Sequence, residues 1–108
     1  MNLIKNKQKS IHRLCKKYYV QKLYLFGSYA KNTMKADSDI DILVYFTKEL
    51  ALNDYADNFF DLKYELEEVL GKTVDLVSGK PLSNPYFIDD INKTKLLIYD
   101  AEIQKIFS

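Results

Sequence analysis

Two aspartates, Asp39 and Asp41, stand one residue apart at the start of an apolar run, and their type and spacing suit them to chemistry. In a β-strand, successive side chains point to opposite faces, so the two carboxylates project together while Ile40 and Ile42 point to the other side. Neighbouring carboxylates repel each other unless a cation or a shared proton lies between them. Oxygen ligands of this kind suit a hard divalent ion, above all Mg²⁺. The pattern therefore predicts a metal site.

A glycine–serine pair, Gly27-Ser28, follows an earlier apolar run. A turn of this kind that opens a helix leaves backbone N–H groups exposed, and such groups bind phosphate and other anions. Ten residues separate Ser28 from Asp39. The sequence thus predicts a phosphate site beside a metal site.

A third aspartate, Asp75, lies between Val74 and Leu76 in a later run that we expect to be buried. An unpaired carboxylate inside such a run is costly, so a partner or a metal is expected there. If this strand lies beside the strand of Asp39 and Asp41, two metal ions could clamp a triphosphate and align a hydroxyl for in-line attack. Any one aspartate could instead cap a helix or lie on the surface. The joint occurrence of all three with the glycine–serine turn favours catalysis.

Hydrophobic periodicity predicts the elements that would position these residues. Gly71 is placed to end the longest helix, and Asn84-Pro85 is a favourable start for another. The pattern predicts helices at 3–18, 28–32, 52–70 and 84–94, strands at 21–26, 39–46, 73–78 and 95–99, and a last helical turn in the tail. This order predicts an α+β (α/β mixed-sheet) fold, with about four strands flanked by helices, in a single domain, 1–108.

Charge is distributed unevenly along the chain, although the net charge is only +1. The first 36 residues contain nine basic and no acidic residues, whereas the remaining 72 contain seven basic and 15 acidic residues. The basic N-terminal region could attract nucleic acid, nucleotide phosphates or an acidic partner, or it could be a solvated helix face without a specific role. The near-neutral total argues against direct nucleic-acid binding, because dedicated binders are more often basic overall.

The composition also excludes several classes of protein. A hydrophobic content of 47% with mixed charge indicates a globular domain and not a disordered chain. No apolar run approaches the ~20 residues of a membrane span, and the N-terminus lacks the apolar stretch of a secretion signal. The single cysteine, Cys15, can form no internal disulfide, which fits a reducing cytoplasm. We expect Cys15 in the core and His12 at the surface or its boundary.

The spacing of Gly27-Ser28, ten residues, then Asp39-x-Asp41 resembles the signature of the DNA polymerase β-like nucleotidyltransferase superfamily, and the chain looks like its minimal (MNT-type) members. The resemblance implies that Asp39 and Asp41 hold two Mg²⁺ ions. It implies that Asp75 holds the catalytic ion and takes the proton from the attacking hydroxyl. It also implies that Gly27 and Ser28 bind the β and γ phosphates of ATP.

Lys31 and Tyr29, close to this motif, depart from the family pattern, and Asp37 lies beside it. Lys31 stands where several relatives carry arginine; it is a weaker bidentate clamp but still a cation for phosphate. Tyr29 replaces a smaller or basic residue, and its ring could stack on a base or pack in the core; we favour packing. Asp37 is interpreted as a turn residue or a helix cap, because the family has no metal ligand at that position.

Minimal nucleotidyltransferases often resemble antitoxins that transfer AMP from ATP to a tyrosine of a HEPN-domain ribonuclease toxin. The resemblance implies the same activity and partner here, and the cysteine usage noted above predicts a cytoplasmic location. Two alternatives stay open: a small-molecule nucleotidyltransferase of the aminoglycoside type, and a non-catalytic antitoxin that neutralises its toxin by binding. Larger relatives hold the acceptor with a second domain, for which 108 residues leave no room. We therefore expect a partner, a second copy or a small molecule to supply the acceptor.

Overall fold

The computed structural model describes residues 2–79 and 93–107, and side chains within 3–79 and 93–104. Its helices are α1 (Asn2–Asn6), α2 (Gln8–Lys17), α3 (Gly27–Lys31), α4 (Tyr55–Leu70, preceded by a 3-10 turn at Leu52–Asp54) and α5 (Ala101–Phe107). Its strands are β1 (Val20–Phe26), β2 (Ile40–Phe46), β3 (Val74–Ser78) and β4 (Leu96–Asp100). The helix predicted at 84–94 falls, except for its last two residues, outside the described residues. Within the described part of the chain, every helix is too short or too polar to span a bilayer.

The four strands form one mixed sheet in the order β3-β2-β1-β4. Strand β1 pairs antiparallel with both β2 and β4, while β2 pairs parallel with β3. The parallel pair is joined by the crossover through α4, as parallel strands require. The predicted mixed sheet with flanking helices is confirmed.

One face of the sheet carries the main hydrophobic core beneath α2 and α4. Leu62, Leu66 and Leu70 recur at helical spacing along α4 and are buried. Burial of each such side chain stabilises the fold by roughly 1.5–3 kcal/mol. Gly71 ends α4 with a left-handed backbone (φ 67°), as its position predicted. The strands contribute the buried side chains of Leu23, Leu25, Ile40, Ile42, Val44, Val74 and Leu76.

The opposite face carries a second, smaller cluster. Phe26 of β1 and Leu43 of β2 are buried there, and Tyr24, Tyr45 and Val77 pack against them. Asp41 precedes Leu43 by two residues and therefore projects from this same face. The carboxylates thus share a face with aromatic side chains and not with the main core.

The first predicted helix, 3–18, is in fact two helices separated at Lys7. The backbone of Lys7 (φ −112°, ψ 13°) leaves the helical region, and its carbonyl accepts the N–H of Ile11. The break lets Leu3 and Ile4 pack against the same core as Ile11. Hydrophobic spacing alone did not reveal it, because both segments keep an apolar side.

Candidate active site

The parallel register of β2 and β3 sets Asp41 directly opposite Asp75. Asp39 lies immediately before β2, whose first residue is Ile40 and not Asp39 as predicted. The N–H of Ile40 donates to the carbonyl of Thr73 (3.0 Å), so the starts of the two strands are tied together. The backbone therefore brings the three predicted acidic residues to one end of one strand pair.

The run around Asp75 is buried as expected, because Val74 and Leu76 are buried, but the expectation of a buried Asp75 carboxylate is wrong, because its own side chain is exposed. Among the strands of the described residues, β3 lies at an edge of the sheet. Its alternation turns Asp75 to the face that carries Asp41, away from the core. The cost of burial therefore explains nothing at this position, and the case for Asp75 rests on its place beside Asp41.

The pKa of Asp41 is perturbed by its surroundings. Burial raises the pKa of Asp41 above its ordinary value, and the charges of Asp75 and Asp39 and a hydrogen bond with Asp75 raise it further. Asp41 is half-buried, whereas Asp39 and Asp75 are exposed. Like charges thus meet at Asp41, which is the electrostatic setting that a bound cation relieves.

The side chains do not converge as far as the sequence predicted. Among residues 3–79 and 93–104, no three Asp, Glu, His or Cys side chains are arranged to hold a metal ion as they stand. Asp75 already forms a hydrogen bond with Asp41, and Asp39 is exposed, so the Asp39 carboxylate can turn towards the pair without disturbing the core. The donor set of three carboxylate oxygens suits Mg²⁺.

Gly27 joins the glycine–serine turn to this cluster. Its backbone has a positive φ of 68°, and a Cβ atom added there would lie 2.1 Å from Oδ2 of Asp41 and 2.9 Å from its Cγ. Only glycine therefore fits at this position, on grounds of both backbone conformation and space. The turn predicted to bind phosphate lies in contact with the carboxylate predicted to bind metal.

The remaining predicted phosphate ligands lie on α3, which starts at Gly27. Ser28 is half-buried, and Lys31 is exposed one helical turn later, on the same side. With five residues, α3 is too short for a strong helix dipole, so its exposed backbone N–H groups matter more than the dipole. Tyr29 packs in the main core, as favoured above, and Asp37 is a turn residue.

Glu67 of α4 is a positioning residue that the sequence analysis missed. Its carboxylate accepts the backbone N–H of Val74 at 2.9 Å and lies 3.4 Å from Nζ of Lys63. The contact holds the start of β3, one residue before Asp75. A glutamate in the last turn of a helix, shortly before a strand, is the only signal the sequence offers, and that pattern is common.

Two other sequence expectations, for Cys15 and His12, concern residues that lie away from the three carboxylates. Cys15 is fully buried in the main core, and burial raises its pKa to about 12. His12 lies at the boundary, with its ring edge-on to Tyr99 at 5.3 Å between centroids. Neither side chain takes part in the carboxylate site.

Comparison with known proteins gives one consistent family. Residues 9–104 match the family model described as polymerase beta, nucleotidyltransferase. The Methanocaldococcus jannaschii protein MJ0435, provisionally named a protein adenylyltransferase, is 49% identical over 72% of this chain and 78% of its own. The Thermococcus cleftensis protein adenylyltransferase MntA is 38% identical over 66% of this chain and 68% of its own.

Solved structures agree in fold. One provisionally described as a minimal nucleotidyltransferase has a TM-score of 0.68 at 30% identity, covering 85% of this chain and 89% of its own. The MNT antitoxin of Shewanella oneidensis, in complex with a tri-AMPylated HEPN toxin, has a TM-score of 0.62 at 21% identity, covering 96% and 78%. The second likeness concerns the fold alone. With a family model matched over nearly the whole sequence, this chain belongs to the polymerase β nucleotidyltransferase family.

Proposed function

We propose that the protein transfers AMP from ATP to a tyrosine hydroxyl of a HEPN-domain toxin and thereby acts as an antitoxin. The curated relatives are named protein adenylyltransferases, and a neighbour in fold is an antitoxin bound to an AMPylated HEPN toxin. The observation that carries the proposal is the contact between the Gly27 turn and Asp41, with Asp75 opposite. In the proposed function, phosphate binding and carboxylate chemistry would meet there in one place.

In this proposal, Asp39 and Asp41 would hold two Mg²⁺ ions, and Asp75 would complete the ligand set at the catalytic ion. Bound there, Mg²⁺ would neutralise charge on the phosphates and lower the pKa of the acceptor hydroxyl. The backbone at Gly27 and Ser28 binds the β and γ phosphates, and Lys31 adds a positive charge beside them. These contacts hold the α phosphate against the carboxylates.

The acceptor oxygen then forms a bond to the α phosphorus while the bond to the β phosphate oxygen breaks. Pyrophosphate leaves, and the hydroxyl proton passes to Asp75. Asp75 suits this role because it is exposed and adjacent to Asp41, so a protein-borne hydroxyl can reach it. In-line geometry and charge neutralisation supply most of the catalysis in such transfers.

The test is transfer of labelled ATP to a co-expressed HEPN partner in the presence of Mg²⁺. We expect label on a partner tyrosine with the wild-type protein and none with Asp41→Asn, which removes a charge and little volume. Asp37→Asn is the matched control, because Asp37 is an exposed aspartate in the turn that precedes β2. Its transfer rate should equal that of the wild type.

Other outcomes would favour the alternatives. If Asp41→Asn neutralises the toxin as fully as the wild type and no label is transferred, the protein is a non-catalytic antitoxin. Label transferred to an aminoglycoside but not to the partner would indicate a small-molecule enzyme. Wild-type transfer by Asp41→Asn would refute the role assigned to the carboxylate cluster.

A further inference from the structure

A cavity of about 450 Å³ opens beside the smaller cluster, at the far end of β2 from the carboxylates. Its volume lies in the range of small-ligand sites. The residues that define its chemistry are Lys22, Tyr24, Tyr45, Thr47, Lys48 and Lys95. Among the residues that the structure describes, three lysines and two tyrosines line it and no acidic residue does, although Nζ of Lys22 lies 4.0 Å from Oδ2 of Asp100.

The two tyrosine rings form a fixed aromatic surface. Tyr24 and Tyr45 meet edge to face, with centroids 6.2 Å apart and ring planes at 85°. The ring of Tyr45 lies so close over Gly79 that an added Cβ there would fall 2.2 Å from its Cε1. Nζ of Lys95 lies 4.4 Å from the centroid of Tyr24. Cationic and aromatic groups are thus presented together.

Thr47 also belongs to this lining, but its hydroxyl oxygen is buried and therefore does not face the cavity. The cavity offers aromatic rings for stacking and lysines for an anion.

We propose that this cavity binds a nucleobase together with an adjacent phosphate, that is, a nucleotide moiety. Aromatic stacking combined with nearby cations is the general chemistry of nucleotide recognition outside base pairing. The choice of a nucleotide as the ligand rests on the nucleotide-dependent function proposed above. The cavity and its lining are observed independently of that function.

The nucleotide has two conceivable sources. Tyr45 lies four residues along β2 from Asp41 on the same face, which places the two Cα atoms about 13 Å apart. A substrate ATP held by its phosphates at the Gly27 turn could lay its base towards Tyr24 and Tyr45. A second, separate nucleotide could occupy the cavity instead.

Calorimetric titration with Mg²⁺-ATP and with Mg²⁺-tripolyphosphate tests the proposal, because tripolyphosphate has the phosphates without the base. We expect Tyr45→Leu to weaken ATP binding about tenfold and to leave tripolyphosphate binding unchanged. Tyr45→Phe keeps the ring and should bind as the wild type does. Lys95→Gln should weaken ATP severalfold, whereas Lys9→Gln, at an exposed lysine of α2, should change nothing.

Stoichiometry separates the two sources. One ATP per chain places the substrate's own base in the cavity; two, with one site surviving Asp41→Asn, indicate a second nucleotide. An unchanged ratio of ATP to tripolyphosphate affinity in folded Tyr45→Leu overturns the inference. So does loss of partner binding by that variant with nucleotide affinity intact, which would assign the cavity to the acceptor protein.

The same titration distinguishes failure of this inference from failure of the proposed function. Transfer to the partner with an unchanged affinity ratio in Tyr45→Leu would leave the function standing and remove the cavity's role. A tenfold weaker affinity without any transfer by the wild type would keep the nucleotide site and remove the proposed function.

Discussion

Substitution of Gly27 by alanine tests the contact on which the active site depends. The new Cβ would lie 2.1 Å from Oδ2 and 3.1 Å from Cβ of Asp41. Rotation of the Asp41 side chain cannot relieve the contact between the new Cβ and the Cβ of Asp41, because the position of that atom is set by the backbone. The Gly27 turn and β2 must therefore move apart. The positive φ of 68° adds a second penalty, because an L-residue in this region costs about 1–2 kcal/mol.

Gly71 provides a matched control for that backbone penalty. Its φ of 67° is nearly the same as that of Gly27, yet a Cβ added there meets nothing within 4 Å. Gly71→Ala should therefore lose about 1–2 kcal/mol, or about 4–8 °C in Tm for a domain of this size, and keep wild-type transfer. Gly27→Ala should lose at least as much stability.

Gly27→Ala and Gly71→Ala should differ in their rates of AMP transfer. A misplacement of about 1 Å at the reacting groups can cost about 100-fold in rate, so we expect Gly27→Ala to reduce transfer by that order under conditions where both variants are folded. The assay is single-turnover AMP transfer beside thermal unfolding followed by circular dichroism. Equal transfer rates for Gly27→Ala and Gly71→Ala would refute the argument that the turn and Asp41 must touch.

Three further predictions concern residues away from the carboxylates. Glu67→Gln removes a carboxylate whose pKa is lowered mainly by the hydrogen bond from the N–H of Val74. Because the pKa of Glu67 is lower in the folded than in the unfolded protein, its ionised form stabilises the fold at any pH above the unfolded-state pKa. Urea titrations should therefore show the wild type to be more stable by about 1 kcal/mol at pH 7, and this difference should disappear as the pH falls through the acid range. Cys15, with a pKa of about 12, should resist iodoacetamide at pH 8 in the folded protein and react in urea, as mass spectrometry would show. Tyr19→Gly should raise Tm by about 4 °C. Tyr19 has a φ of 60° just after α2, and glycine would relieve about 1 kcal/mol of backbone strain at this position. An unchanged or lower Tm would mean that the Tyr19 ring stabilises the fold.

The sequence was sufficient to predict the four described strands in their order along the chain and the long helix α4. Alternation in β2 and the apolar stripe of α4 are local patterns, and local patterns can be read without knowing what packs against them. The strand that contains Asp75 was also predicted, but the exposure of the Asp75 side chain was not. Whether a strand lies at an edge depends on sheet order, which is not a local property.

The cavity beside Tyr24 and Tyr45 shows the same limit more strongly. Its residues come from β1, from β2 and the two residues after it, and from Lys95 just before β4, and Lys95 is 71 positions from Tyr24 in the sequence. Tyrosines are common in this chain, so no single one stood out. Only the antiparallel register of β1 with its two neighbours brings these side chains together.

Asp41 shows that the proposed activity carries a cost in stability, and this cost can be measured without any transfer assay. In metal-free buffer, Asp41 is half-buried with its pKa raised by burial and by the charges of Asp75 and Asp39, so its ionised form opposes folding at pH 7. Asp41→Asn removes that charge and should raise Tm in EDTA. Added Mg²⁺ should then stabilise the wild type by mass action and leave Asp41→Asn unchanged. If Asp41→Asn instead unfolds at a lower temperature in EDTA, the carboxylate stabilises the turn at Gly27, and its repulsion with Asp75 is not the dominant effect.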